Sequence, residues 1–211
     1  MSSVLVQGGA TASVTPDRAQ LRLGVSYVEK TAAAALDRAA AGVRALHEVL
    51  DRHQVPASDR TTAAVMVQEE TEWRDQRTVK LGHRAGTTLT ITVRDIAAVG
   101  AVLTDAVSDA GATVHHLAWS VDAQNPVRRQ LLGDAARDAR ARAEAYATAL
   151  GLGLGEVLSI SEVQPDTDGG PTPKMMMRAM DMAPAGGAME VSEGLVELSS
   201  SVFVTFALVP G

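Results

Sequence analysis

The side chains best suited to chemistry in this chain are thioethers. Six of its eight methionines, Met175, Met176, Met177, Met180, Met182 and Met189, fall in one stretch rich in Pro, Gly and Ala. Thioether sulfur is a soft ligand for Cu(I), a reversible sink for oxidant and an adaptable apolar contact. No His or Cys accompanies the cluster to complete a metal site, so the first expectation is a disordered or interface-filling loop. Met175, Met176, Met177, Met180 and Met182 are the candidate metal ligands under the alternative reading, a soft-metal or oxidant-responsive module.

The five histidines offer no ligand pair by spacing. His47 and His53 lie six residues apart on a predicted helix, hence on different faces, and His115 and His116, adjacent on a predicted strand, are expected to point to opposite sides. His115 alternates with Leu117 and Trp119, which predicts a core histidine ahead of a metal ligand or general base. His83, just before a strand, is expected at the surface. The glycines of Gly151-Leu152-Gly153-Leu154-Gly155 resemble part of a phosphate loop, but they follow a helix and open a strand, the reverse of a dinucleotide fingerprint. They predict a helix stop and a turn. Asp134 with Arg137 and Asp138 with Arg142 have the three- and four-residue spacing of helix-surface ion pairs rather than of paired catalytic carboxylates. The chain holds no G-x-S-x-G elbow, no H-E-x-x-H and no Walker loop, so no catalytic residue and no cofactor is assigned.

Composition narrows the class further. The 211 residues are 46% hydrophobic and carry a formal charge of −6, which is soluble-globular and argues against a general nucleic-acid binder. With two each of Phe, Tyr and Trp, base-stacking platforms are few and the core must be aliphatic. The absence of cysteine excludes disulfides, thiolate nucleophiles and Cys-type zinc sites. No apolar run is long enough to cross a bilayer. Met1-Ser2-Ser3 runs into Val4-Leu5-Val6 without the charged-then-apolar start of an export signal, so a cytoplasmic location is expected.

Hydrophobic periodicity then places the elements. Residues 4–14 read as a strand with Gly8-Gly9 as a bulge or bend, and Thr15-Pro16-Asp17 as a turn joining it in a hairpin to the alternating run Ala19, Leu21, Leu23, Val25, Tyr27. Thr31 is a candidate N-cap for a helix with the stripe Leu36, Ala40, Val43, Leu46 or His47, and Leu50, ended by Pro56. A third strand begins at Ala63, Val65 and Val67 and runs into a charged, solvated hairpin tip over 69–77. Leu89, Ile91 and Val93 alternate with Thr88, Thr90 and Thr92 in a half-buried fourth strand, and Asp95 caps a helix predicted from Ile96 to Ala110 with Gly111 at its end. After a fifth strand comes the longest helix, Pro126 to Leu150, with the stripe Leu132, Ala136, Ala139, Ala143, Tyr146 or Ala147, and Leu150. A short strand around Val157 to Val163 follows, and residues 164–193 form a long aperiodic loop. In the last strand Phe203 and Ala207 add apolar residues to the second face, which predicts a central position. Strands in pairs with inserted helices predict α+β architecture with largely antiparallel sheet, as one domain of 1–211 or two lobes of about 1–94 and 95–211 sharing the terminal strands.

Several of these segments resemble the SIMPL-domain family, which includes bacterial oxidative-stress-defence proteins and an immunogenic envelope protein. The resemblance is carried by Val6-Gln7-Gly8-Gly9-Ala10, by Ala12-Ser13-Val14-Thr15-Pro16-Asp17-Arg18-Ala19 and by the Thr31-Ala32 helix start. It continues through Asp59-Arg60-Thr61-Thr62, the strand from Gly82 to Asp95, Val99-Gly100, Ala110-Gly111-Ala112 and the run from Ala135 to Glu144. Gly151, Gly155 and the closing Val202-Phe203-Val204-Thr205-Phe206 complete it. His83 stands where relatives often have an aromatic residue. The resemblance implies an α+β protein that assembles into ring-like or channel-like homo-oligomers, is tied to tolerance of oxidative stress and has no catalytic residues to carry over. The expected function is therefore a non-enzymatic, oligomer-forming protein without cofactor, nucleic acid or membrane insertion. The other readings are the Cu(I) or oxidant-responsive module on the methionine loop and an enzyme whose polar residues converge around His115.

Overall fold

The computed structural model describes residues 2–74, 76–163 and 194–211. The fold is α+β, and every strand pairing among the described residues is antiparallel. In chain order the elements are β1 (Ser3–Val14), β2 (Arg18–Glu29), α1 (Ala32–Arg52), β3 (Arg60–Arg74), β4 (Arg77–Val93), α2 (Val99–Ser108), β5 (Thr113–Ser120), α3 (Pro126–Ala149), β6 (Leu152–Ser161) and β7 (Val196–Pro210). They divide into two compact units. One takes its described residues from 2–14, 123–163 and 195–211, and the other is built on 15–122.

The 15–122 unit is a four-stranded sheet of order β3-β4-β2-β5 with α1 and α2 on one face. Ala19, Leu21, Leu23 and Val25 of β2 and Leu89, Ile91 and Val93 of β4 face the helices, as their alternation predicts. Thr31 caps α1 by accepting a hydrogen bond from Ala34 N at 3.2 Å. The buried stripe of α1 is Ala35, Ala39, Gly42, Leu46, Val49 and Leu50; Leu36 is exposed, so the first half of the predicted stripe is one residue out of phase. Small residues decide that phase: a Cβ at Gly42 would stand 2.7 Å from Tyr27 Oη, so this side of the helix lies closest to the sheet. Asp95 accepts from Ala97 N at 3.1 Å, but it caps a short 3-10 turn, Ile96–Ala98, that leads into α2, and α2 ends at Ser108. Gly111 follows at φ +61°, a left-handed conformation that favours glycine.

The other unit is a three-stranded sheet, β1-β7-β6, packed on α3. The chain's first and last strands pair from Ser3 opposite Ala207 to Val14 opposite Val196, and β7 is central, as its two apolar faces predict. The expected hairpin between the first two strands does not form: β1 pairs with β7, whereas β2 pairs with β4 and β5. None of Thr15, Pro16 and Asp17 takes the positive φ that a tight two-residue hairpin demands, and the segment instead carries the chain from one sheet to the other. Asp17 also turns to β5, accepting from Asp122 N at 2.8 Å while its own N–H donates to Ser120 O.

Helix α3 is capped by Asn125, which accepts from Val127 N at 3.0 Å, with Pro126 in its first turn. It buries Leu131, Ala135, Ala139, Ala143 and Ala147; Leu132, Tyr146 and Leu150 are exposed, so this stripe too is shifted by one at its start and resolved in favour of the smaller residue at its end. The alanine ladder lets the helix backbone approach β1 closely. Gly8 is not a bend, since β1 pairs with β7 without interruption. A Cβ at Gly8 would collide with the carbonyl oxygen of Ala135 and lie 2.7 Å from Ala139 Cβ. Gly151, at φ +69°, ends the helix and releases β6, the stop-and-turn role predicted for it.

Candidate functional site

The sequence-derived metal candidates, Met175, Met176, Met177, Met180 and Met182, lie outside the described residues, as does the rest of 164–193. Among the described residues no group of three or more His, Asp or Glu side chains could hold a metal ion.

The histidines disperse over the 15–122 unit. His53 Nε2 lies 2.8 Å from Asp105 Oδ2, joining α1 to α2 beside the Arg52–Asp109 ion pair. His47 Nδ1 is 3.3 Å from a guanidinium nitrogen of Arg60, whose side chain also donates to Val55 O at 3.1 Å and Asp51 Oδ1 at 2.6 Å. These contacts fasten the end of α1 to the start of β3. A cleft of about 310 Å³ is lined by Ala45, Glu48, Val49, Arg52 and Asp109, and of these Arg52 and Asp109 are paired with each other.

His115 is not the core histidine expected from its alternation with Leu117 and Trp119. The β2–β5 register slips between Arg22 and Leu23, with Arg22 opposite His116 and Leu23 opposite Val114, so His115 is the extra residue of a bulge. A Cβ at Gly24 would collide with His115 Nε2, so the imidazole lies over the sheet face turned away from the helices. His116 shares that face because it stands opposite Arg22, which alternates with buried Leu21 and Leu23. The two histidines therefore point to the same side, and the bulge is the reason: one inserted residue reverses the alternation.

On α3 the predicted surface ion pairs are present. Arg137 pairs with Asp134, and Arg142 Nε donates to Asp138 Oδ2 at 2.8 Å. Asp138 has a second partner that spacing along the helix does not reveal: its Oδ2 accepts from Gly9 N of β1 at 2.9 Å. That backbone N–H, and then Arg142, hold the Asp138 carboxyl below its ordinary pKa.

What the molecule presents most openly is strand edge. Each sheet has two outer strands, β3 and β5 in one and β1 and β6 in the other. Unpaired backbone N–H and C=O groups on such strands are a template for another strand unless charge, bulges or a covering contact blunt them. Along β3, Glu69, Glu70, Glu72 and Arg74 supply the charge; Lys80 donates to Glu69 at 2.9 Å and Arg84 to Glu70 at 2.7 Å. The charged segment is the expected solvated hairpin tip, with strand continuing through Arg74 and the turn at Gln76, φ +59°. On β1, Asp138 occupies the Gly9 N–H that points away from β7. β5 is eight residues long, bulged and polar at its centre. Val65, Met66 and Val67 are also exposed on β3, but there they run into the charges of that strand; β6 has Glu156 as its one charge, and its Val157, Leu158 and Ile160 are exposed by 49%, 47% and 66% among the described residues. Sequence periodicity could not mark them, because an apolar run reads alike in a buried strand and an uncovered edge.

A family model described as "SIMPL: Protein of unknown function (DUF541)" matches residues 4–206, from the start of β1 into β7. The chain belongs to the SIMPL family. This SIMPL protein is 23% identical over 211 residues to "Uncharacterized protein YggE" of Escherichia coli (strain K12), in an alignment covering 98% of this chain and 83% of that protein. The YggE proteins of Escherichia coli O157:H7 and Shigella flexneri match with the same identity and coverage. The SIMPL match includes both units and the strand pair formed by the two chain ends.

Proposed function

We propose that this SIMPL protein is a non-enzymatic subunit of a homo-oligomer, and that β6 is an edge through which copies meet. The observation that carries this reading is the exposed apolar row of Val157, Leu158 and Ile160 on an outer strand with a single charge. Burying such residues removes apolar surface from water at about 25 cal/mol per Å² while satisfying edge backbone groups, so a second strand is the favoured cover. The resemblance to ring-forming relatives agrees with it. Native mass spectrometry and light scattering of the full chain test the proposal: a discrete oligomer at micromolar concentration, converted to smaller species by Ile160→Lys, is expected. A wild-type monomer at that concentration, or an oligomer indifferent to Ile160→Lys and Leu158→Lys, overturns it.

The link to oxidative stress rests on the same resemblance and on the six clustered methionines. In this reading the thioethers act as an oxidant sink or as a Cu(I) site. Replacing Met175, Met176, Met177, Met180 and Met182 by Leu keeps apolar bulk and removes sulfur. Loss of Cu(I) affinity in that variant favours the metal module, whereas unchanged affinity rules out these five thioethers as the ligands.

A further inference from the structure

The helix-free face of the β3-β4-β2-β5 sheet carries cationic and hydroxyl groups that the assembly reading does not use. Row by row across its centre, Gln20 stands opposite Thr92, Arg22 opposite Thr90, and Gly24 opposite Thr88. Thr61 flanks Thr90 on the β3 side, and His116 flanks Arg22 on the β5 side. The bulge adds His115, whose ring fills the space left by the missing side chain of Gly24. Arg22, His115 and His116 are exposed and have no hydrogen-bond or ion-pair partner among the described residues.

The carboxylates nearest along this face are already engaged. Glu70 lies toward one end and pairs with Arg84 through two hydrogen bonds of 2.7 Å; Asp17 and Asp122 lie at the other end and pair with Arg18. No acidic residue stands in the central rows. In a protein of net charge −6, this patch is therefore locally complementary to an anion. A guanidinium offers a planar fork to oxyanions, imidazole N–H groups donate in both protonation states, and threonine hydroxyls reorient to donate.

We propose that Arg22, His115 and His116, floored by Thr88 and Thr90, form a binding site for a phosphate-class oxyanion, either free phosphate or a small phosphomonoester. Arg22 supplies the fixed charge, and the bulge brings the two imidazoles to the same side. Gly24 is required because a side chain there would displace His115.

The test uses the full-length protein with ¹⁵N-labelled histidine, titrated separately with inorganic phosphate and with glycerol phosphate at constant ionic strength, against a sodium chloride reference. The expected result is saturable shifts of the His115 and His116 ring signals, with those of His47, His53 and His83 stationary, and an affinity about tenfold or more weaker in Arg22→Gln. Saturation by the ester alone assigns the site to phosphomonoesters, and saturation by both assigns it to the phosphate group itself. Arg22 is exposed, so this substitution leaves the core intact; folding of the variant is checked on its backbone amide spectrum. Shifts that stay linear, that chloride reproduces, or that Arg22→Gln leaves unchanged overturn the site.

Discussion

At the scale of single residues, Gly8 carries the largest structural constraint in the sheet formed by the two chain ends. Any Cβ there meets the backbone of α3 at Ala135, which neither a rotamer change nor a flexible neighbour relieves. Gly8→Val is expected to cost about 3 kcal/mol or more by overpacking, measured by urea denaturation, and a loss below 1 kcal/mol counts against so close an approach. Gly133, inside α3, has only the Arg137 guanidinium near its absent Cβ, at 3.7 Å; Gly133→Ala should stabilise by about 0.5–1 kcal/mol. Asp138 gives a pH signature. Its carboxyl is held below its unfolded value, so its stabilisation is fully present above about pH 4 and is lost as pH falls through the lower folded value. The stability gap between wild type and Asp138→Ala should stay level from pH 7 to 5 and narrow below pH 4; a gap that does not narrow means Asp138 does not latch β1. The types of Gly8, Asp138 and His115 are plain in the sequence, and the spacing of Asp138 to Arg142 correctly gives an ion pair. Their tertiary roles are not legible there, because each depends on a contact with a distant element: α3 for Gly8, β1 for Asp138 and the β2 register for His115.

At the scale of elements, apolar alternation marks the strands because one face of each central strand is buried and the other is not. The helix stripes are less well determined. In α1 Ala35 adjoins Leu36 and Ala39 adjoins Ala40, and in α3 Leu131 adjoins Leu132 and Ala135 adjoins Ala136, so two adjacent stripes satisfy the same 3.6-residue period, and the tie is broken by which side lets the helix lie closest to its sheet. The corrected phase of α1 is testable. Leu46 is fully buried and Leu46→Ala should cost about 2–5 kcal/mol, whereas Leu36, 43% exposed, should lose about 0.5 kcal/mol or less on the same substitution. Equal losses at the two positions would contradict the observed stripe. A hairpin between the first two strands is the local expectation for a related reason: short sequence separation favours pairing of neighbours, and nothing local announces that β7, at the far end of the chain, supplies the partner.

At the scale of the whole molecule, the order of assembly follows from where each unit's residues lie in the chain. The 15–122 unit is continuous, and its strands pair with neighbours drawn from within that stretch, so its loops close over short distances. The β1-β7-β6 sheet cannot exist until residues from both ends of the chain meet, with the entire 15–122 unit intervening. Loop-closure entropy makes such pairing slow relative to local contacts. The 15–122 unit also owns a full set of buried aliphatics: Leu21, Leu23 and Val25 of β2, Leu46 and Leu50 of α1, and Val102 and Leu103 of α2. A polypeptide of residues 15–122 alone is therefore expected to fold, with dispersed amide resonances and a cooperative urea transition. Residues 123–211 alone, lacking β1, are expected to leave one edge of β7 and part of the alanine ladder uncovered and to remain loosely packed. In the full chain, Gly8→Val should then lower the stability of the terminal-strand sheet while amide protection within 15–122 persists on hydrogen exchange. Loss of protection in both units together would mean that they fold as one cooperative body, and the continuous segment could no longer be treated as an independent folding unit.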